Sequence, residues 1–331
     1  MLDRLQVSLP FWITIPQGQE FPIHEYEIDG YTVRVCPPAR SEHPALTDPI
    51  TDVKLDGAPA LRVDVLHIEF QKDTFDRRRG GAVSDPPEHV VQRVVGSFLL
   101  RFRHVARAAD IRAIDSPSWH VHYLTDDGGE LEIEEGLARA KRKLTFSVTS
   151  LALHKLIWED IHSLPPDYEP PPWEELLLDA HGDLPRIGPA VVLAATALEV
   201  FISRILDGLA SKGSVAPELW EWINDRGDYL REPRVEEQFD VLLRFFTGRL
   251  LKSEPRLWEA FRNLKTARNS FVHEGRASIG GVPVSVDTAK ELLRTAGETV
   301  ATIREWLPVD LQWKVSKHEV KIDASMQVKM K

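Results

Sequence analysis

The sequence predicts an α+β protein: a mixed α/β domain over residues 1–163, then an all-helical bundle over residues 173–308. Three observations predict it. Before residue 150 the apolar residues mostly alternate with polar ones, the period of half-buried strands. From residue 173 to 306 they recur at helical spacing instead. Between the two lies Leu164-Pro165-Pro166-Asp167-Tyr168-Glu169-Pro170-Pro171-Pro172, which cannot continue a helix and favours extended polyproline geometry. Residues 164–172 are therefore read as the linker.

Taken in order, Leu5 to Leu9, Tyr26 to Ile28 and Tyr31 to Val35 alternate as strands, the last two joined by a turn at Asp29-Gly30. Residues 37–59 hold several prolines and little periodicity, so a loop is expected. Alternation returns from Ala60 to Lys72. Arg77-Arg78-Arg79-Gly80-Gly81 reads as a basic, solvated loop. Asp85-Pro86-Pro87 has the form of a helix start, and Val90, Val91, Val94, Phe98, Phe102 and Val105 mark the buried face of that helix. Asp126-Asp127-Gly128-Gly129 signals a hairpin between Trp119–Tyr123 and Glu130–Glu134. Residues 143–148 are read as a strand and Ser150 to Ser163 as a helix. Helices follow at about 173–181, 187–210, 216–226, 234–252, 254–274 and 286–306, the last capped by Asp287. Residues 309–331 alternate once more, as a late strand pair or a lysine-rich tail.

Composition bounds the function. A length of 331 residues, 43% hydrophobic and 28% charged, is that of an ordinary globular chain of two domains. The net charge of −10 argues against a surface that binds nucleic acid indiscriminately, yet permits a local basic groove. Cys36 is the only cysteine, so no internal disulfide forms and a reducing, cytoplasmic setting is expected. No secretory signal is read. The apolar run Ile187 to Leu198 has twelve residues, too few to span a bilayer, and reads as a buried helix; no membrane partner is expected. His120 and His122 alternate onto one strand face, but zinc wants three or four ligands and no third lies nearby, so no metal is expected. His154 and His162 read as ordinary helix surface. Walker, GxSxG, HExxH, CxxC and dinucleotide motifs are absent, and no cofactor is expected.

What remains is Asn263 to Gly275. With each helical step about 100°, Leu257, Phe261, Leu264, Ala267 and Phe271 form one apolar face and Arg268 falls inside it. A guanidinium there must be paired or must look into a groove. Asn269 and His273, four apart, share a second face. Gly275 suits the helix stop. Glu199 lies with Thr196 and Ser203 on a narrow polar strip of an otherwise apolar helix. It is the expected partner of Arg268.

The run Arg268-Asn269-Ser270-Phe271-Val272-His273 resembles the RNxxxH signature of HEPN domains. The order of helices around it, with Ala197-Leu198-Glu199 upstream, Phe239, Leu242, Leu243 and Phe246 between, and a closing helix after residue 286, is similar to that family over roughly residues 172–308. The resemblance implies a metal-independent endoribonuclease, with Arg and His from two protomers lining one groove of a homodimer. By that carry-over Arg268 and His273 are catalytic and Asn269 supports them; Glu199 and Lys265 are read as further supporting residues. RNA is then the partner, and a toxin or antiviral effector the expected role. The first domain would sense or restrain, meeting a trigger or antitoxin. The other reading is a non-catalytic HEPN-like module that dimerises or binds nucleotides or RNA.

Overall fold

Alternation in the first strands decides which face of the sheet is dry. The computed structural model describes residues 2–40, 50–71, 88–111, 118–124, 150–213, 215–224, 233–314 and 322–326. The basic run Arg77–Arg79, the hairpin turn at 126–129, the strands at 130–134 and 143–148, and the side chains of His120 and His122 lie outside the described residues. The chain divides into two units, one of Met1–Glu169 with Ser316–Lys331 and one of Pro170–Val315.

In the first unit the strands are β1 (Leu2–Pro16), β2 (His24–Ile28), β3 (Tyr31–Ala39), β4 (Ile50–Leu55) and β5 (Ala58–Gln71). Then come helix α1 (Glu88–Val105), β6 (Ser118–Leu124), β7 (Ser150–Ala152) and helix α2 (Lys155–Ser163). The long strands β1 and β5 pair antiparallel through the middle; β6 and β7 flank β1, and β3 carries β2 on its outer side. Leu5, Val7, Val33, Val35, Leu66, Ile68 and Phe70 are fully buried on one face. The apolar sides of α1 (Val90, Val94, Phe98, Phe102) and α2 (Ile157, Trp158, Ile161) join them in one core.

Two expectations are corrected here. Residues 37–59 are not all loop. β3 runs on through Pro37 and Pro38 where its register with β5 shifts between Cys36 and Ala39, and β4 follows. A register shift frees the ladder positions that proline cannot fill. Residues 150–152 are a short strand parallel to β1, so the helix starts only at Lys155.

The opposite sheet face carries one cross-strand row of charge: Glu25, Arg34, Glu69 and Arg4. The nearly buried Glu69 carboxylate accepts from Arg4 Nη2 at 2.6 Å and from Arg34 Nη1 at 2.8 Å. Behind α1 the fully buried Arg101 donates to the carbonyls of Ser97 and Leu164 and to the Tyr26 hydroxyl, each at 3.1 Å. It thereby satisfies the end of α2, where backbone carbonyls lack helical partners. His162 is not helix surface. Its ring stacks on His24 at 4.1 Å and 5°, with Trp158 at 4.4 Å.

In the second unit α3 (Pro172–Gly182) precedes the 26-residue α4 (Ile187–Lys212) and α5 (Pro217–Asn224). The expected helix at 234–252 is broken into α6 (Val235–Glu237), a π turn over Gln238–Leu242, and α7 (Leu243–Thr247), which Gly248 ends at φ 73°. α8 (Pro255–Glu274), a hairpin of β8 (Ser278–Ile279) and β9 (Val282–Pro283), and α9 (Val286–Trp306) complete it. Ser285, not Asp287, caps α9, its hydroxyl accepting from the Thr288 amide at 3.1 Å. α4 is the hub: Ala190, Val191, Ala194, Leu198, Phe201 and Ile205 are buried together with Leu264 of α8 and Leu293 of α9. Its most apolar window has a mean hydropathy of 1.8, and 56% of that window is buried inside the protein. Residues 309–314 stay with this unit, Trp313 packing on Trp173 at 5.2 Å and donating to the buried Glu174 at 3.3 Å. The chain then returns to the first unit as β10 (Ile322–Met326), antiparallel to β4.

Two outcomes are expected. Glu69→Gln leaves Arg4 and Arg34 facing each other without a counter-ion. Because both arginines are partly exposed, the cost should be about 1–3 kcal/mol, read in urea unfolding. The second concerns acid. Burial first, then positive His24 and Arg101, push the His162 pKa down to about 2. Burial also lowers His24, partly offset by Glu159. The unfolded chain takes these protons near an ordinary histidine pKa of about 6.5, while the folded state resists them. Stability is therefore full above that pH and falls as pH drops through it. The melting temperature followed by Trp fluorescence should fall between pH 7.5 and 5.5, and His162→Phe should flatten that fall.

Candidate functional site

α8 presents its residues much as its periodicity requires. Leu257, Phe261, Leu264 and Ala267 are buried against α4, and Gly275 ends the helix at φ 74°. The close fit of α4 and α8 has a specific cause. A Cβ on Gly188, at the start of α4, would meet the Phe271 ring at 2.1 Å. Only glycine lets the two helices approach so closely there. Ser270 then fixes the helix exit: its hydroxyl donates to the Arg276 carbonyl at 2.7 Å and lies 2.7 Å from the Ser278 hydroxyl of β8.

Arg268 is half-buried. The expected pair with Glu199 is not formed: no ion pair joins them, and Arg268 Nη1 instead donates to the Asn269 Oδ1 at 3.0 Å. Nε of Arg268 is buried without a hydrogen-bond partner, and among the described residues no carboxylate pairs with this guanidinium. Five residues rotate about 140° around a helix, so Arg268 and His273 leave α8 in different directions. The hydrogen bond to Asn269 draws the guanidinium toward the face that Asn269 shares with the exposed His273.

Lys265 is occupied. It pairs with Glu236 of α6. Burial opposes the charge on Glu236, but the Lys265 hydrogen bond and the attraction of Lys265 and Arg234 outweigh it and hold this carboxyl below its ordinary pKa. Glu199 of α4 is half-buried, lining a small pocket with Lys265, Ala195, Leu198, Val235, Phe261 and Leu264. Asn269, Arg268 and His273 thus share one end of α8, while Glu199 and Lys265 lie toward its middle. Gly188 and Glu236 escape a sequence reading. Only a glycine in an apolar run hinted at close approach, and nothing marked Glu236. Among the described residues no three His, Cys, Asp or Glu side chains converge as for a metal ion.

No protein-family profile matches the chain, and no curated protein or solved structure matches it.

Gly188→Ala should drive a methyl group into Phe271, between Asn269 and His273. Overpacking of this kind costs about 1–3 kcal/mol, expected as a lower urea midpoint for the helical unit. Gly188→Ala with Phe271→Leu should recover much of the loss.

Proposed function

We propose that the helical unit is a metal-independent endoribonuclease of HEPN type, acting as a homodimer whose two α8 helices line one groove. The observation that carries this is Arg268: a half-buried guanidinium that, among the described residues, no carboxylate neutralises, turned by Asn269 toward the face of the exposed His273. A cation kept unpaired in an apolar stripe suits a phosphate, which the arginine fork binds well. RNA supplies its own nucleophile. The 2′-hydroxyl oxygen bonds to the adjacent phosphorus, the bond to the 5′-oxygen breaks, and a cyclic phosphate and a free 5′-hydroxyl result. His273 serves the proton transfers, taking the 2′-hydroxyl proton or supplying one to the leaving oxygen. Arg268 stabilises the charge that builds on the phosphorus oxygens. The rotation of about 140° between the two residues is the reason for two copies: the histidine of one can then serve the arginine of the other. Unrestrained, such an activity harms the cell that makes it, which fits a toxin or antiviral effector held in check through the first domain.

A non-catalytic reading has its own observation. Val272 lies one turn beyond Arg268 on α8 and is 54% exposed, an apolar contact suited to joining two copies without chemistry.

One experiment separates them: purified chain with mixed tRNA and mRNA in EDTA. Cutting is expected, with cyclic phosphate ends, and none on RNA whose 2′-oxygens are methylated or on DNA. His273→Ala should lose about 10²–10⁴ in rate and Arg268→Ala roughly 10²–10³, with Asn269→Ala milder. Cleavage of the methylated RNA, or an activity that EDTA removes, would sink the proposed chemistry; no cutting at all leaves the joining role.

A further inference from the structure

At the far end of α4 from Gly188, three aromatic rings stand in series. Trp220 of α5 meets Phe246 of α7 at 5.6 Å and 77°, and Phe246 meets Phe245 at 5.0 Å and 81°, each edge to face. The two inner rings are built in. Both pack on the core of the helical unit, the Trp220 indole donates to Asp207 of α4 at 2.9 Å, and a Cβ on Gly213 would touch Phe246 at 3.6 Å. Phe245 is the outer ring and is 71% exposed. A ring held on two neighbours while most of its surface meets water is a stacking surface fixed in advance.

Cations stand beside it. Arg244 and Arg249 are exposed, and neither makes an ion pair among the described residues. Gly248 turns the chain at φ 73°, and Arg249 then lies over the half-buried Trp306 ring at 6.0 Å. Two neighbouring carboxylates are already engaged: Asp240 faces Lys252 at 3.9 Å, and Asp207 accepts from Trp220. In a chain of net charge −10, two unpaired arginines next to an exposed ring favour an anionic, aromatic ligand over an apolar protein surface. A strand with unpaired bases offers both, a π-face for the ring and phosphates for the guanidinium forks.

We infer that this end of the helical unit binds single-stranded nucleic acid, one base stacking on Phe245 and adjacent phosphates held by Arg244 and Arg249. That the strand is RNA rests on the ribonuclease reading above; the rings and arginines need only unpaired bases. Between Gly188, which meets Phe271, and Gly213, which meets Phe246, α4 rises roughly 37 Å. The rings therefore anchor a strand far from Arg268 and His273 and take no part in the cutting itself.

Fluorescence anisotropy tests this in the full chain, with a labelled single strand of RNA whose 2′-oxygens are all methylated, so that binding is read without cutting. Circular dichroism confirms that each variant folds. Phe245→Ala should weaken binding about fivefold or more. Phe245→Leu, which keeps apolar bulk without a π-face, should lose nearly as much, and Phe245→Trp should keep it. Arg244→Gln and Arg249→Gln should each flatten the slope of log affinity against log salt by about 0.7. An abasic strand of equal length should bind weakly and not distinguish Phe245→Ala from the unaltered protein. No binding by the unaltered protein overturns the inference, as does a duplex that binds as well as the single strand, or a Phe245→Ala variant that binds unchanged. A DNA strand that binds more tightly than the RNA overturns the assignment to RNA. If Val241→Ser and Phe245→Ala instead weaken self-association in sedimentation and leave the oligonucleotide unaffected, the patch joins protein surfaces and the inference falls. Binding that depends on Phe245 in a chain that cuts no RNA defeats the ribonuclease proposal alone. Cutting that persists while binding ignores Phe245 defeats this inference alone.

Discussion

Burial of α4 is the constraint on which the helical unit depends. This helix is apolar on most of its circumference, so it must be covered by α3, α8 and α9 together. That requirement leaves α8 little freedom. Its apolar stripe has to lie along α4, with Phe271 seated on Gly188, and every polar residue of α8 takes its direction from that contact. Arg268 lies only about 20° around the helix from the buried Leu257 and Phe261, inside the stripe, and comes out half-buried. Its half-buried state follows from the packing of α4 and not from any attraction of its own.

Much of this was legible in the sequence. Helical spacing located α4, α8 and α9 closely, and the buried faces of α1 and α8 contain the residues that periodicity indicates. Period-two alternation located β1 to β3 and β5. The failures have physical causes. Pro37 and Pro38 argue against a strand, but a register shift tolerates them. The π turn at Gln238–Leu242 leaves the apolar pattern nearly unchanged, so periodicity cannot see it. His162 looked like surface because its stacking partner His24 lies far away in sequence. The expected pair of Arg268 with Glu199 assumed that charges on apolar faces find each other. The structure instead gives Arg268 a single hydrogen bond, to Asn269, and gives Lys265 to Glu236. Such choices turn on helix separation, which no single sequence states.

Two polar groups of the first unit are closed off: Arg101 spends its donors on backbone carbonyls and Tyr26, and Glu69 takes an arginine on each side. Such groups add specificity to the packing, since any other arrangement would strand them. At the end of α8 the pattern is open. Arg268 keeps donors in reserve, and His273 is exposed to solvent. A site for chemistry needs that contrast, because a group already satisfied has nothing left to offer a substrate.

The return of the chain as β10 bears on how the protein is made. Synthesis runs from the N-terminus, yet among the described residues the β4 edge has no partner until Ile322–Met326 emerges behind the whole helical unit. At roughly 5–20 residues per second, the stretch from residue 71 to residue 322 takes on the order of ten to fifty seconds. Throughout that interval a bare strand edge faces whatever other chains are near, the condition that favours wrong pairing. Every residue of the helical unit emerges before β10, so the sheet receives this strand only after the unit that follows it along the chain.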